Sequence, residues 1–185
     1  LSHTSFNTVS GNYIGADVSG TAAIPNDGDG VNIFDQASNN SVGGDTAGER
    51  NLISGNNGAG VRINDSGTVS NTVSGNYIGT DVSGTMVIAN SDPGVFIGDG
   101  AQFNLIGGIN ASPGGVCSGQ CNLISGNGFF GVRIGYPGNN TVSGNYIGTD
   151  VSGTDDLGNA LDGIYLADSS GNIIGGAAPD AGNLI

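Results

Sequence analysis

The clearest pattern along the chain is a short apolar triplet preceded by glycine, in which two apolar residues flank one variable residue. It begins at Gly30, Gly60, Gly94, Gly131 and Gly163, so successive triplets are 30 to 37 residues apart. Three residues are too few for a stable hairpin sheet, but equivalent triplets can pair in parallel with those one coil above and below, about 4.8 Å away. The spacing therefore predicts a stack of coils.

Two further columns of apolar residues, each introduced by asparagine, recur in fixed order within every coil. The second column starts at Asn7, Asn40, Asn71, Asn104, Asn140 and Asn172. The third starts at Asn12, Asn51, Asn76, Asn122, Asn145 and Asn183. Asparagine suits such turns, because its amide bonds neighbouring backbone, tolerates a positive φ and forms ladders when stacked.

These columns predict an all-β fold, a right-handed single-stranded parallel β-helix with three short parallel sheets and about 30 to 37 residues per coil. The period-two alternation of a strand places residues such as Val61 and Ile63 inside. We expect residues 1–185 to form one domain of about five to six coils, open and cut from a longer chain at both ends.

A longer repeat of two coils is superimposed on the single coil. Near-identical segments begin at Asn7, Asn71 and Asn140, so their starts are 64 and 69 residues apart. Insertions alternate between two corners, as in Gly79 to Pro93 after the third strand and Asp45 to Arg50 between the second and third. The later copy of the second insertion is longer and contains Cys117 and Cys121.

Composition limits both the fold and the partners. The 37 glycines disfavour long helices, whereas 36% hydrophobic residues in regular spacing argue against disorder. Only 3 basic residues face 16 acidic ones, which gives a net charge of −13. Nucleic acid and anionic membranes are therefore excluded as partners, because both require clustered Lys and Arg.

The two cysteines indicate an oxidising compartment. A zinc site would lack two of its four ligands, so we predict a local disulfide between Cys117 and Cys121, with two free thiols as the alternative. No signal peptide or transmembrane run is present, and the chain is interpreted as a fragment of a secreted or cell-surface protein.

The strings NYIGTDVSGT, NLISGN, NSVGGDTAGERNLISGN and GVRI carry a resemblance over Asn7 to Ile185. They are similar to the Asn/Gly-rich repeats of pectin-lyase-like right-handed parallel β-helix proteins, particularly repeat regions of very large secreted bacterial proteins. That superfamily includes polysaccharide lyases, hydrolases, epimerases, phage tailspikes and adhesive stalks, so the resemblance implies the fold and leaves the activity open.

No catalytic residues are predicted. The variable residues of the first column are Asn32, Arg62, Phe96, Arg133 and Tyr165, and no column offers paired carboxylates on adjacent coils. Arg62 and Arg133 are expected to stack on Phe96. A weak ligand-binding candidate is the third-column strip, whose outward residues are Tyr13, Leu52, Tyr77, Leu123, Tyr146 and Leu184. The favoured alternative is that insertions carrying Ile24, Met86, Val87 and Leu157 cover this strip as a secondary core.

No cofactor is predicted apart from a candidate structural calcium site at Asp27 and Asp29, which alternate on a Gly-rich bend but lack a downstream Glu. Asp17, Asp81 and Asp150 recur within Asp-Val-Ser-Gly-Thr and are explained by turn formation without metal.

The sequence thus favours a non-catalytic extracellular module, a spacer or adhesion surface. The alternative is a carbohydrate-binding or carbohydrate-active fragment. Ice binding is disfavoured, because Thr8, Thr72 and Thr141 occupy only alternate coils. Expected partners are a polysaccharide or cell-surface protein, together with neighbouring coils of the parent chain or end-to-end copies.

Overall fold

The computed structural model describes residues 1–112, 114–136 and 138–185. Within them the chain forms sixteen short strands and no helix, so no helix is present that could cross a membrane. The first-column strands are β3 (Val31–Ile33), β6 (Val61–Ile63), β9 (Val95–Ile97), β12 (Val132–Gly135) and β15 (Ile164–Ala167). The second-column strands are β1 (Thr8–Val9), β4 (Ser41–Gly43), β7 (Thr72–Ser74), β10 (Leu105–Gly107), β13 (Thr141–Ser143) and β16 (Ile173–Ile174). The third-column strands are β2 (Tyr13–Ile14), β5 (Leu52–Ile53), β8 (Tyr77–Ile78), β11 (Leu123–Ile124) and β14 (Tyr146–Ile147).

Each column forms its own parallel sheet, as predicted. The sheets have six, five and five strands, and within each one the strands pair in the order in which the coils follow one another. Val31, Val61, Val95, Val132 and Ile164 are aligned in register along the first sheet. The predicted parallel β-helix of three sheets is therefore confirmed.

The core lies inside the coils and continues along the stack. In β6 and β9 the first and third residues are buried and the middle one is half-buried. Ile63, Ile78 and Ile106 supply one fully buried side chain from each wall. Burying an aliphatic side chain of this size contributes about 1.5 to 3 kcal/mol, so every coil adds its own layer of stabilisation.

Buried asparagines connect each coil to the next. In the second column Asn40 Nδ2 donates to Asn71 Oδ1 at 2.9 Å, and in the third Asn51 Nδ2 donates to Asn76 Oδ1 at 2.9 Å. The same bond repeats along the third-column ladder and along the second-column ladder as far as Asn140, whose backbone N–H donates to Asn172 Oδ1 at 3.0 Å. A third ladder, missed by the sequence analysis, comprises Asn26, Asn56, Asn90, Asn127 and Asn159.

The turn before each second-column strand differs from the prediction in which residue has a positive φ. The positive φ belongs to the residue before the ladder asparagine, as at Phe6 (60°), Asn39 (54°) and Phe103 (56°). The ladder asparagine therefore stabilises this turn through the hydrogen bonds of its side-chain amide. The residue before it, whose type varies, adopts the left-handed conformation. Phe6 and Phe103 are exposed there.

Candidate functional site

The third-column strip is mostly covered. Tyr13, Leu52, Tyr77, Leu123 and Tyr146 align in register, and Leu184 pairs with Tyr146 at the last coil. Relative exposure is 2% at Leu52, 5% at Tyr77, 0% at Leu123 and 6% at Tyr146. Only the two outermost members, Tyr13 and Leu184, are exposed, at 46% and 39%. The interior of this strip therefore forms a secondary core outside the main one.

The cover is formed by loops, as the favoured alternative expected, but by different side chains. Met86, Ile24 and Val87 are exposed, and Leu157 is only half-buried. The contact comes from the repeated Asp-Val-Ser-Gly-Thr turn. A Cβ on Gly20 would lie 3.0 Å from Leu52 Cδ2 and 3.1 Å from Tyr13 Cε2, so only glycine allows the loop to approach this closely.

The aspartate of that turn holds it in shape. Asp81 Oδ1 accepts from the N–H groups of Thr85 (3.0 Å) and Met86 (3.0 Å), and Oδ2 accepts from the Ser83 hydroxyl (2.6 Å). The equivalent bonds recur at Asp17 and Asp150. These contacts support the interpretation of the three residues as turn formers.

Titration of these carboxylates is coupled to folding. Burial, the largest single effect, raises the pKa of Asp81, but hydrogen bonds from Ser83, Thr85 and Met86 together outweigh it and lower the pKa below 3.8. The pKa of Asp150 is lowered against the same burial effect by the equivalent bonds. A carboxyl group whose pKa is depressed in the folded state stabilises the fold above its unfolded pKa. That contribution is lost as the pH falls through the folded value.

The Asp45–Arg50 insertion adds a cation to the cover. The Arg50 guanidinium carbon lies 4.1 Å from the centre of the Tyr77 ring. Burial raises the pKa of Tyr77, and the neighbouring Arg50 charge only partly opposes this. Glu49 closes the insertion through hydrogen bonds from the Thr46 N–H (3.1 Å) and hydroxyl (2.8 Å).

The longer insertion uses a disulfide at the equivalent place. Cys117 and Cys121 are joined and almost fully buried, and they pack in the secondary core with Leu123 and Tyr146. The Tyr146 hydroxyl donates to the Gly115 carbonyl at 2.6 Å. Both cysteines are therefore joined in this bond, which lies beside the strip.

The outer face of the first sheet concentrates cations and rings. The guanidinium carbons of Arg62 and Arg133 lie 4.7 and 5.2 Å from the Phe96 ring centre, which confirms the predicted stacking across coils. Phe130 stacks on Tyr165 with ring centres 4.5 Å apart and planes 10° from parallel. This pair was not predicted, because Phe130 precedes its triplet and lies outside the three columns.

Arg62 and Arg133 differ in their electrostatic partners. Arg62 Nε donates to Asp29 Oδ2 at 2.7 Å, and Asp92 Oδ2 lies 3.6 Å from Nη2. Among the described residues Arg133 has no ion pair, and its buried Nε has no hydrogen-bond partner. Within the described residues Arg133 therefore lacks the carboxylate contacts that Arg62 makes on this face.

One of the two carboxylates of the calcium candidate already has protein partners. Asp29 accepts from Arg62 and, through Oδ1, from the Ala59 N–H at 2.8 Å, whereas Asp27 is exposed. Within residues 1–112, 114–136 and 138–185 no group of three or more His, Cys, Asp or Glu side chains is arranged to hold a metal ion. Calcium at Asp27 and Asp29 therefore stays a prediction.

No protein-family model matches the chain, and neither the curated proteins nor the solved structures include a significant match.

Proposed function

We propose that this chain is a non-catalytic repeat module that serves as a rigid spacer or adhesion surface in a large extracellular protein. The observation that carries the proposal is the set of three asparagine ladders. Asn76, Asn90 and Asn122 are each fully buried and bonded to the following coil. Coils fixed to their neighbours at three corners resist bending and separation, since a solenoid is held together by nearest-neighbour contacts.

The use of charged residues also supports a structural role. Asp17, Asp81 and Asp150 are engaged in holding turns, and Arg50 covers a buried tyrosine. The remaining acidic residues give a surface of high negative charge, which favours solubility of an isolated module.

We propose a bacterial, secreted or cell-surface origin and a place among pectin-lyase-like repeats. The repeated strings NYIGTDVSGT and NLISGN support this placement. The disulfide between Cys117 and Cys121 supports an oxidising compartment.

The spacer role is tested by pulling the chain from both ends in a single-molecule force experiment. We expect stepwise extension in coil-sized increments. Asn122→Ala should lower the unfolding force, because it removes donors to Asn145 Oδ1 and the Val73 carbonyl. Asn57→Ala, at an exposed asparagine, is the matched control and should leave the force unchanged. Equal unfolding forces for the two variants would contradict the proposal.

A second candidate, carbohydrate binding, is favoured by Arg133 and the Phe130–Tyr165 pair. A ring face for stacking beside an unpaired cation suits an acidic sugar better than the covered third-column strip does. A glycan array and a lyase assay on acidic polysaccharides test it, with Arg133→Gln expected to abolish binding and Arg50→Gln to preserve it. Negative results in both assays exclude this candidate.

A further inference from the structure

An open cleft of about 350 Å³ lies on the outer face of the second sheet, between the two insertions that cover the strip. Its floor includes Ser41 and Thr72, two half-buried residues of neighbouring strands that pair in register. Asp45 and Glu49 line the cleft from the shorter insertion, and Gln120 lines it from the longer one. The strands that carry the floor, β4 and β7, have β1 and β10 beyond them, so coils of this chain flank the cleft on both sides.

A nearly buried serine in the cleft lacks a hydrogen-bond partner. Ser74 is 6% exposed, and its hydroxyl makes no hydrogen bond within the described residues. The Ser74 side chain lines the cleft and its oxygen keeps accessible surface, so the hydroxyl is open to a ligand there. The hydroxyls of Ser41 and Thr72 likewise have no partner in the described part of the chain. A ligand that supplies the missing partners gains affinity, because an unpaired polar group with so little exposure is unfavourable.

The equivalent serine in the next two-coil unit is satisfied by the protein. The Ser143 hydroxyl donates to the Gly108 carbonyl at 3.2 Å. Gly44 is the counterpart of Gly108, since each donates its N–H to the serine carbonyl of its own unit, but the Ser74 hydroxyl does not bond to Gly44. The floor differs as well, because Leu105 replaces its first hydroxyl residue. The open hydroxyls are therefore a property of this cleft and not of the repeat.

The charge of the cleft is negative and unpaired. Glu49 Oε2 accepts from the Thr46 hydroxyl and N–H, whereas Glu49 Oε1 accepts nothing from the described residues. The hydrogen bonds from Thr46, with a smaller effect from Asp45, lower the pKa of Glu49 below its usual value, so this carboxylate is ionised at neutral pH. Neither Asp45 nor Glu49 forms an ion pair with any residue that the structure describes.

These groups together define the chemistry of a ligand. Two carboxylates repel an anion, and the described residues that line the cleft include no basic side chain to pair with one and no aromatic ring on which a sugar could stack. Nor do the described residues hold three or more His, Cys, Asp or Glu side chains in an arrangement suited to a metal ion. A primary ammonium group has a compact positive charge and three N–H donors, which match the carboxylates and the unpartnered hydroxyl oxygens.

We propose that this cleft binds a primary ammonium group, which is held by the carboxylates of Asp45 and Glu49 and by the Ser74 hydroxyl. Small free amines and lysine side chains both carry such a group, and the cleft is within the size range of small-ligand sites. A spacer needs no ligand, so this inference goes beyond the proposed function and can fail without affecting it.

The experiment follows the backbone amide signals of the full chain by NMR during titration with 1,4-diaminobutane, with 1,4-butanediol as the neutral control. We expect saturable shifts at Glu49, Thr72 and Ser74 with the diamine and none with the diol. Equal shifts with the diol would indicate a polyol site. Shifts spread over the whole acidic surface would indicate only attraction to a chain of charge −13, and either result would overturn the proposal.

A further titration identifies the source of the ammonium group. The N-acetyl methylamide of lysine presents the same group on a longer stem. Shifts at Ser74 with this compound would support recognition of a lysine side chain, whereas shifts with the diamine alone would support a free amine as the ligand.

A pair of double variants locates the charged contact. Asp45→Asn/Glu49→Gln removes two charges from the cleft and should lower the association constant for 1,4-diaminobutane by about tenfold or more. Asp155→Asn/Asp156→Asn removes the same charge from an exposed loop and should bind like the parent chain. Equal loss in both would mean that only net charge matters and would refute the site.

The buried hydroxyl has its own matched pair of variants. Ser74→Ala breaks no hydrogen bond of the protein, so the melting temperature should be retained while the association constant falls by about tenfold, the loss for one hydrogen bond to a charged group. Ser143→Ala, at the equivalent serine that already bonds to Gly108, should leave the affinity for 1,4-diaminobutane unchanged. An unchanged affinity in Ser74→Ala would contradict the proposal.

Discussion

The Asp45–Arg50 insertion and the longer insertion that contains Cys117 and Cys121 enter the stack at the same corner and cover the same strip in different ways. Arg50 lies over Tyr77 by a non-covalent contact, whereas the disulfide packs against Leu123 and Tyr146. The residue that closes each insertion also differs. Glu49 accepts a hydrogen bond from the Thr46 N–H in the shorter insertion, whereas Gln120 accepts one from the Ile109 N–H in the longer insertion. The fold thus requires that each insertion exclude water from the strip. The contact that does so can be a cation on a ring in one insertion and a disulfide in the other.

Removing the strip itself should have the largest effect on both regions. Leu52→Ala and Leu123→Ala each delete a side chain with 2% exposure or less, and each should lower the free energy of unfolding by about 2 to 5 kcal/mol. Chemical denaturation measures the change. Leu161→Ala, at a leucine that is 53% exposed, is the control and should change stability by less than about 0.5 kcal/mol. Losses below about 1 kcal/mol at both buried positions would show that the strip is not packed.

Breaking the disulfide should affect only the longer insertion. The Cys117→Ser/Cys121→Ser variant should lose about 2 kcal/mol, because the bond closes a short loop and the entropy it removes from the unfolded chain is correspondingly small. Hydrogen exchange should accelerate around Cys117 and Tyr146 and stay unchanged at Tyr77. Acceleration at Tyr77 as well would show that the two covers are not independent.

Removing the Arg50 cation should affect only the shorter insertion, and it should lower the free energy of unfolding by less than loss of the disulfide does. Arg50→Met keeps an apolar stem over Tyr77 and should cost about 1 kcal/mol, the range for a partly desolvated cation–π contact. Thermal melting with and without reductant measures it. The cost should be the same in both conditions, and a cost that appears only after reduction would mean that the disulfide compensates for Arg50.

Metal removal should have the smallest effect. A chelator should leave the melting temperature unchanged, because Asp29 already pairs with Arg62 and with the Ala59 N–H. A fall in the melting temperature that calcium restores and Asp27→Asn abolishes would instead establish the calcium site predicted from Asp27 and Asp29.

The three columns were predictable because stacking imposes one requirement on every coil. Val31, Val61 and Val95 must occupy the same place, and the asparagine that precedes each second- and third-column strand must meet its equivalent one coil away. The third ladder follows an equally regular rule, because Asn26, Asn56, Asn90, Asn127 and Asn159 each lie five residues before the first residue of a first-column strand. It was overlooked because the residues between that asparagine and the glycine of the triplet differ in type from coil to coil.

The cover of the strip was predictable only in outline. Long apolar strips are rarely left in water, which favoured a cover, but apolar side chains in the insertions such as Met86 and Ile24 pointed to the wrong contacts. The loop approaches through Gly20 and its equivalents, and glycine gives no apolar signal in a sequence.

By itself the sequence determined the coil, its three sheets and their register, because a repeat that pairs with its own neighbours encodes each contact in its spacing. Only the tertiary structure decided which groups meet across coils of unequal length: Arg50 with Tyr77, Asp29 with Arg62, and Phe130 with Tyr165. These contacts depend on the path of each insertion, which the apolar pattern does not fix.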